Sequence, residues 1–253
     1  MLSQKPIPWF TFTLTIIFLL SLTLRFWNLN NFNTLVFDEA YYAKFGNNYL
    51  TGTEFFNVHP PLSQYIIAIG IWLSNNFLPP SNTVNNLTGS LLSPFSYRWL
   101  NALTGSFIPL ILGLLAYQLT NRRSYGIITA LFAATDGLFL VESRYALNNI
   151  YLVIFGLLGQ LYFLLTLKTN KWRKVVNLTL SGFFFGASVG SKWNGLAFLL
   201  GIFIYYSLTQ FYQKKIKQIS LLIPLTIITL ITYRIIWIPH SIMNSKYNFL
   251  EIH

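Results

Sequence analysis

Seven apolar runs, each close to the length that a helix needs to cross a bilayer, follow one another along the sequence. They cover residues 9–27, 97–119, 124–141, 146–167, 174–190, 195–212 and 218–238. About 20 residues of α-helix span the hydrocarbon core, and a helix satisfies its own backbone hydrogen bonds there. The pattern predicts an all-α integral membrane protein, a multispan helix bundle that forms a single domain over residues 1–253.

The composition supports this class of protein. Only 9% of the residues are charged and 54% are hydrophobic, whereas a soluble domain carries about 25% charged residues. The chain has no cysteine, which excludes disulfides, thiolate nucleophiles and cysteine-based metal sites. A signal peptide is the alternative for the first run, but that run is long and no small-residue cleavage site precedes the polar segment 28–33.

One more apolar segment, 61–78, is shorter and ends in Asn-Asn, and the basic residues decide its placement. If it lies in the outer interface, ten of the 17 basic residues fall on the cytoplasmic side, in short loops or tails. They are Lys5, Arg122, Arg123, Lys168, Lys171, Arg173, Lys174, Lys214, Lys215 and Lys217. If 61–78 crossed, the later clusters would be translocated while Lys5 stayed inside, against the positive-inside rule. We therefore predict seven spans, a cytoplasmic N-terminus, an outer C-terminus and an amphipathic helix over 61–78 on the outer face.

The acidic residues collect on the predicted outer face. Asp38, Glu39, Glu54, Glu142 and Glu251 lie at or near it, and Asp136 lies inside a predicted span. The pair Asp38-Glu39 directly precedes the stretch AYYAKFGNNYL. A carboxylate here could act as a general base on a hydroxyl, bind a divalent cation, or simply complement the dipole of a helix over that stretch. The residues alone leave these alternatives open.

Three cations are predicted near the same face. Arg98 begins one apolar run, Arg144 follows Glu142, and Lys192 lies in the turn GSKWNG. Phosphate is the natural ligand of such a cluster, and a lipid phosphate lies at this depth. Snorkelling at helix ends is the alternative for each cation taken singly.

Four stretches, in order, carry a family resemblance. They read VFDEAYYAKFGNNYLTGTEFFNVHPPL, YRWLNALTGSFIPL, ESRYALNN and GFFFGASVGSKWNGL. Together they closely resemble the N-terminal half of the polyprenyl- or dolichyl-phosphate-mannose–protein O-mannosyltransferases, from about Arg25 to Leu196. The resemblance implies the GT-C architecture and an inverting, metal-independent transfer of mannose from a polyprenyl-phosphate donor to Ser or Thr hydroxyls of proteins on the non-cytoplasmic face.

The resemblance also implies residue roles. Asp38 would be the catalytic base, and Glu39 would orient the site or the acceptor. The groups implied at the donor phosphate are His59, Arg98, Arg144 and Lys192. The implied supporting residues are Arg25, Tyr41, Asn149 and Trp193. No metal and no cofactor beyond the lipid-linked sugar donor is implied, and the expected partners are that donor, an acceptor protein or peptide and the lipid bilayer.

Two departures from the family pattern keep other functions open. Asn149 stands where the family often has Asp, and the chain ends after the seventh predicted span, whereas family members continue. Three alternatives therefore stay open: the chain forms an oligomer, it works with a separate C-terminal partner, or it is an inactive truncated relative. A GT-C transferase with a lipid or glycan acceptor is the other enzymatic alternative. A transporter is disfavoured, because Asp136 is the only acidic residue in an apolar span. The expected location is a bacterial plasma (inner) membrane, with the active site on the outer face.

Overall fold

The computed structural model describes residues 8–244, and within this range the chain folds into ten α-helices. They are α1 (Pro8–Phe26), α2 (Glu39–Thr51), α3 (Leu62–Phe77), α4 (Pro94–Thr120), α5 (Arg123–Thr135), α6 (Gly137–Arg144), α7 (Asn149–Lys168), α8 (Lys171–Ser191), α9 (Leu196–Tyr212) and α10 (Leu222–Met243). Short 3₁₀ turns, Trp193–Gly195 and Ile216–Leu221, precede α9 and α10. The predicted positions of Lys5, of Glu251 and of the C-terminus lie outside the described residues.

Five helices are long and apolar enough to cross a membrane: α1, α4 and α7, and α9 and α10 with the 3₁₀ turns before them. The number rises to six if α5 and α6 form one bent span. The all-α multispan bundle is thus confirmed. Helix α8 has 21 residues, but it begins with KWRK and contains several small polar residues and glycines. It is not among the helices that meet the apolar requirement, so its crossing, and with it the count of seven, stays a prediction.

The predicted span 124–141 is wrong as a single helix. Helix α5 ends at Thr135, α6 begins at Gly137, and the two axes differ by 54°. Asp136 at the break has an extended backbone, and its Oδ1 accepts a hydrogen bond from the backbone N–H of Phe139 at 2.9 Å. Asp is a preferred N-cap residue because it satisfies a free amide of the first turn. Asp136 therefore begins α6 and does not lie within a continuous span.

The long segment between α1 and α4 contains both helices that the sequence predicts there. Helix α2 covers AYYAKFGNNYL and ends at Thr51, and the next residue, Gly52, has a φ of +67°, the left-handed conformation that closes a helix. Helix α3 covers most of 61–78, and its 16 residues are shorter than a span. It packs between α2 and α4. This region forms one end of the bundle.

Helices α8 and α10 run parallel and approach closely through a stripe of glycines. Gly182, Gly186 and Gly190 recur every fourth residue on α8 and face Ile228, Thr232 and Ile236 of α10. A Cβ atom added at Gly186 would lie 2.5 Å from Cβ of Thr232. Small residues at this spacing let membrane helices pack backbone to backbone, where dispersion replaces the hydrophobic effect.

Nine cations lie at the end of the bundle opposite to α2 and α3. Lys168 at the end of α7 donates to the backbone oxygen of Gln118 in α4 at 2.7 Å, so these two C-termini meet. We call this end the basic end, and its cations are Arg122, Arg123, Lys168, Lys171, Arg173, Lys174, Lys214, Lys215 and Lys217. The loops α1–α4, α6–α7 and α8–α9 form the other end, which we call the site end.

Candidate functional site

Asp38 lies at the site end, on the border of a cavity. The residue occupies the N-cap position of α2, but its side chain makes no capping hydrogen bond, so a capping role does not account for the carboxylate. The cavity has a volume of about 340 Å³ and is lined by Asp38, Tyr41, Tyr42, Phe45, Phe56, Asn57, Val58 and His59. The Asp38 carboxylate is therefore open to a ligand.

Tyr42 holds the Asp38 side chain from one side. Burial, with the charge of Asp38 and a hydrogen bond to it, raises the pKa of the Tyr42 hydroxyl far above its ordinary value. The hydroxyl thus stays protonated and donates to the carboxylate. The Tyr42 ring centroid lies 6.0 Å from that of His59, which completes this wall of the cavity.

His59 connects the carboxylate with a cation. Burial and the nearby charge of Lys192 lower the pKa of His59 below 6.5, while Asp38 opposes them. The imidazole is therefore neutral near pH 7. Its backbone N–H donates to Oδ1 of Asn57 at 3.1 Å, which sets the turn before Pro60. The structure thus brings Asp38, His59 and Lys192 together from three separate segments.

Lys192, in the turn after α8, is held by an amide. Its Nζ donates to Oδ1 of Asn149 at 3.1 Å, and Nδ2 of Asn149 donates to Oε2 of Glu142 at 3.0 Å. An ammonium group has three N–H donors, and Lys192 uses one of them within residues 8–244, which leaves two for a ligand. Asn149 performs this bridging because an amide can both donate and accept, which a carboxylate at this position could not do when ionised.

Glu39 faces away from the cavity, into a buried ion pair. The side chain is fully buried, and its two oxygens accept from Nε and Nη2 of Arg98 at 2.8 and 2.7 Å. The backbone amides of Val36 and Ala146 add two more bonds, at 3.1 and 2.9 Å. Four accepted bonds in a bidentate arrangement explain how this charge can be buried. Glu39 therefore fixes the start of α2 and with it the position of Asp38.

Arg98 has no donor left for a phosphate. Besides Glu39, its guanidinium donates to the backbone oxygens of Leu29, Phe32 and Thr34, at 3.3, 2.8 and 2.7 Å. These bonds and the pair with Glu39 use all five N–H groups of the side chain. The geometry gives Arg98 the task of closing the loop after α1, and the predicted phosphate contact remains a prediction without support from these contacts.

Arg144 and Arg25 both contact α1. Arg144 donates to the backbone oxygens of Leu24 and Trp27, at 2.8 and 2.6 Å, and so caps the free carbonyls at the end of α1. Arg25 is fully buried and donates to Oγ of Ser21 at 2.6 Å. Among the described residues, none of these hydrogen bonds reaches Asp38, His59 or Lys192, and the predicted roles of both arginines at the donor remain predictions.

The last two predicted supporting residues lie at the rim. Tyr41 is exposed and lines the Asp38 cavity. Trp193 is exposed, and its indole Nε1 donates to the hydroxyl of Tyr233 on α10 at 3.1 Å. Trp193 also borders a separate apolar cavity of about 540 Å³ along α9. These contacts place Tyr41 at the site and tie the Lys192 turn to α10.

The sequence analysis missed a buried polar cluster that holds the segment carrying His59. His240 of α10 is buried, and its Nδ1 lies 2.5 Å from the hydroxyl of Tyr49. Oδ1 of the buried Asn244 accepts the backbone N–H of Phe55 at 2.8 Å. His240 was the available signal in the sequence, because an ionisable residue is costly in an apolar helix and indicates a specific polar partner or a function.

Within residues 8–244, no three His, Asp or Glu side chains form a group that could hold a metal ion. The predicted independence from metal is not tested by this and stays a prediction.

The fold and this site define a multispan membrane helix bundle with a cavity-facing carboxylate and a lysine at one end. The family described as dolichyl-phosphate-mannose-protein mannosyltransferase matches residues 15–245, and the chain belongs to this family. The resemblance stated from the motifs is thereby confirmed.

Relatives are similar over part of their length. Dolichyl-phosphate-mannose–protein mannosyltransferase 6 of Saccharomyces cerevisiae is 28% identical over 205 residues, 73% of this chain and 25% of that protein. Protein O-mannosyl-transferase 1 of Rattus norvegicus is 30% identical over 154 residues, 57% of this chain and 20% of that protein. The chain therefore spans about a quarter or less of these relatives.

The fold is shared with a solved structure. The chain matches a structure described as the S. cerevisiae protein O-mannosyltransferase Pmt1-Pmt2 complex bound to the sugar donor, with a TM-score of 0.81 and 19% identity. The match covers 95% of this chain and 35% of the other. At this identity, the match establishes the fold alone.

Proposed function

We propose that this chain transfers mannose from a polyprenyl-phosphate donor to Ser or Thr hydroxyls of proteins, with inversion and without a metal ion. The observation that carries the proposal is that Asp38 and His59 line the 340 Å³ cavity at the site end, while the charge of Lys192 lies close enough to His59 to lower its pKa. A base and a cation at one site are what a hydroxyl nucleophile and a phosphate leaving group require. Membership of the family supplies the class of donor and acceptor.

In the proposed reaction, Asp38 takes the proton of the acceptor hydroxyl. The hydroxyl oxygen forms a bond to the anomeric carbon of mannose, and the bond from that carbon to the lipid phosphate breaks. Negative charge then grows on the phosphate, and the two free N–H groups of Lys192 stabilise it. Neutral His59 can donate one hydrogen bond to the same phosphate. The products are the mannosylated protein, protonated Asp38 and the lipid phosphate.

The surrounding contacts serve to keep these groups in place. The Glu39–Arg98 pair fixes the segment before Asp38, and Asn149 keeps the Glu142 carboxylate from pairing directly with Lys192. A misplacement of about 1 Å can cost a hundredfold in rate, so these buried bonds support the proposal without taking part in the chemistry.

The test is transfer of radiolabelled mannose from polyprenyl-phosphate-mannose to a Ser/Thr-rich peptide, in membranes carrying this chain alone. We expect label on the peptide, lost in Asp38→Asn and kept in Glu54→Gln, which removes another carboxylate of the same loop. Label on an added glycan or lipid instead of the peptide would assign the other acceptor class. No label on any acceptor, while a full-length relative is active in the same assay, would overturn the proposal for this chain alone and leave an inactive truncated relative or a chain that requires a C-terminal partner.

We further propose that the site end faces outward from a bacterial plasma membrane, with the N-terminus in the cytoplasm. The nine cations of the basic end support this orientation. Because the chain lacks cysteine, single cysteines at Asn86 and at Lys215 report the two ends separately. A membrane-impermeable maleimide should label only Asn86→Cys in intact cells, and labelling of Lys215→Cys alone would reverse the orientation.

A further inference from the structure

The basic end contains a cavity that the proposed reaction does not use. Its volume is about 390 Å³. It is lined by six consecutive residues of the turn between α7 and α8, which are Lys168, Thr169, Asn170, Lys171, Trp172 and Arg173. Three of the six are cations, and Lys174 follows directly. The turn is therefore a concave, strongly positive surface.

This positive charge has no counter-charge within the described chain. The only ion pair within residues 8–244 joins Arg98 to Glu39 at the site end. Lys168 is bonded to Gln118, an uncharged residue, and no hydrogen bond of the described residues involves the side chains of Lys171 or Arg173. Cations held this close repel one another, and an anion bound among them would relieve the repulsion.

An exposed tryptophan indicates the depth of the cavity. Trp172 is 67% exposed, and the guanidinium of Arg173 lies 5.6 Å from the centre of its ring. Tryptophan favours the level of the lipid headgroups, where its ring is apolar on one side and wet on the other. A guanidinium and ammonium groups at that level match the phosphate of an anionic lipid.

We propose that the turn Lys168–Arg173 binds the headgroup of one anionic phospholipid. The phosphate is held by Lys171 and Arg173, and Trp172 contacts the glycerol and upper acyl region. Other cations of the basic end, such as Lys214 and Lys215, do not line the cavity and contribute only a general positive field. The site is independent of the proposed transfer, because it lies at the opposite end of the bundle.

The experiment is native mass spectrometry of the full chain, exchanged into equal amounts of phosphatidylglycerol and phosphatidylcholine. We expect one phosphatidylglycerol retained per chain in preference to phosphatidylcholine. The double variant Lys171→Gln, Arg173→Gln should weaken retention about tenfold or more. The control Lys214→Gln, Lys215→Gln removes the same charge from the same end and should retain the lipid as the parent does.

Four outcomes would overturn the proposal. Equal loss of phosphatidylglycerol in the two double variants would assign its retention to the general positive field of the basic end. Equal retention of phosphatidylglycerol and phosphatidylcholine would show that the site does not select an anionic lipid. Displacement by millimolar inorganic phosphate would identify a free-phosphate site instead of a lipid site. The charge-preserving variant Lys171→Arg, Arg173→Lys covers the case in which the glutamine variant misfolds. It should keep the lipid, and loss of the lipid with unchanged helix content by circular dichroism would also contradict the proposal.

Discussion

Asn149 lies between Glu142 and Lys192, donating to the carboxylate at 3.0 Å and accepting from the ammonium at 3.1 Å. The amide thus joins two opposite charges, which form no direct ion pair with each other within residues 8–244. Lys192 consequently keeps two N–H donors for a ligand, and Glu142 is satisfied without taking them.

Replacing this amide by a side chain of similar size without polar atoms should weaken the site. In Asn149→Leu, Glu142 and Lys192 lose their shared partner, and Glu142 can neutralise the ammonium directly. We expect mannose transfer to fall about tenfold, since a hydrogen bond to a charged group contributes about 1.5–3 kcal/mol. The measurement is the initial rate at saturating donor. Adding Glu142→Gln should restore much of the rate, and a double variant no better than Asn149→Leu would show that the bridge does not act on Lys192.

The two adjacent carboxylates should respond differently to substitution. Asp38→Asn should reduce transfer by at least about a hundredfold, the contribution of general base catalysis, with little change in the thermal unfolding midpoint. The midpoint in detergent and the rate in membranes are to be measured on the same preparation. A variant that loses stability together with rate would place Asp38 in the framework of the site and not in its chemistry.

Glu39→Gln should act through stability. The substitution leaves Arg98 buried with a neutral partner, and breaking a buried ion pair costs about 3–5 kcal/mol. We expect a clear fall in the free energy of unfolding, measured in denaturant titrations in detergent. Lys44→Gln is the matched control, because Lys44 is an exposed charge on the same helix. Equal effects of the two substitutions would contradict the structural role of the Glu39–Arg98 pair.

The protonation of His59 should depend on Lys192. Burial first, and then the charge of Lys192, lower the pKa of His59 below 6.5 in the folded chain. The unfolded chain thus binds a proton more readily, and His59 makes stability fall as pH decreases from about 6.5. In Lys192→Gln we expect the His59 pKa to rise toward, but not beyond, its ordinary value, because burial remains. The pKa of His59 is to be measured by nuclear magnetic resonance of labelled imidazole rings, with the His59 signal assigned from the variant His59→Gln. A His59 pKa that stays unchanged or falls in Lys192→Gln would contradict the prediction.

The buried cluster on α10 should control the segment that leads to His59. In Asn244→Leu, the backbone N–H of Phe55 loses its acceptor, and leaving a buried donor unsatisfied costs about 1–3 kcal/mol. We expect hydrogen exchange at the Phe55 amide to accelerate by about tenfold or more. Ser241→Ala removes a hydroxyl from the same helix end that donates to the backbone oxygen of Trp237, and it should leave the Phe55 amide unchanged. Unaltered exchange in Asn244→Leu would disprove the link between α10 and the loop.

Local patterns predicted the elements of this fold because each signal acts over a few residues. The apolar runs predicted α1, α4, α7, α9 and α10, and AYYAKFGNNYL predicted α2. The same patterns predicted one span over 124–141, because apolar character does not reveal a bend of 54°. Asp136 was the available signal at the break, since Asp favours the N-cap of a new helix over a place inside an apolar one.

The identity of the chemical groups at the site was also determined by the sequence, since the motifs around Asp38, His59 and Lys192 carry the family resemblance. Only the tertiary structure showed which charged groups are held by contacts within the chain and which keep donors for a ligand. The sequence predicts both Arg98 and Lys192 as cations of the same face. In the described structure, Arg98 donates to Glu39 and to three backbone carbonyl oxygens, whereas Lys192 donates to one amide oxygen. The number of donors left for a ligand depends on contacts with residues distant in sequence, and charge type alone does not contain that information.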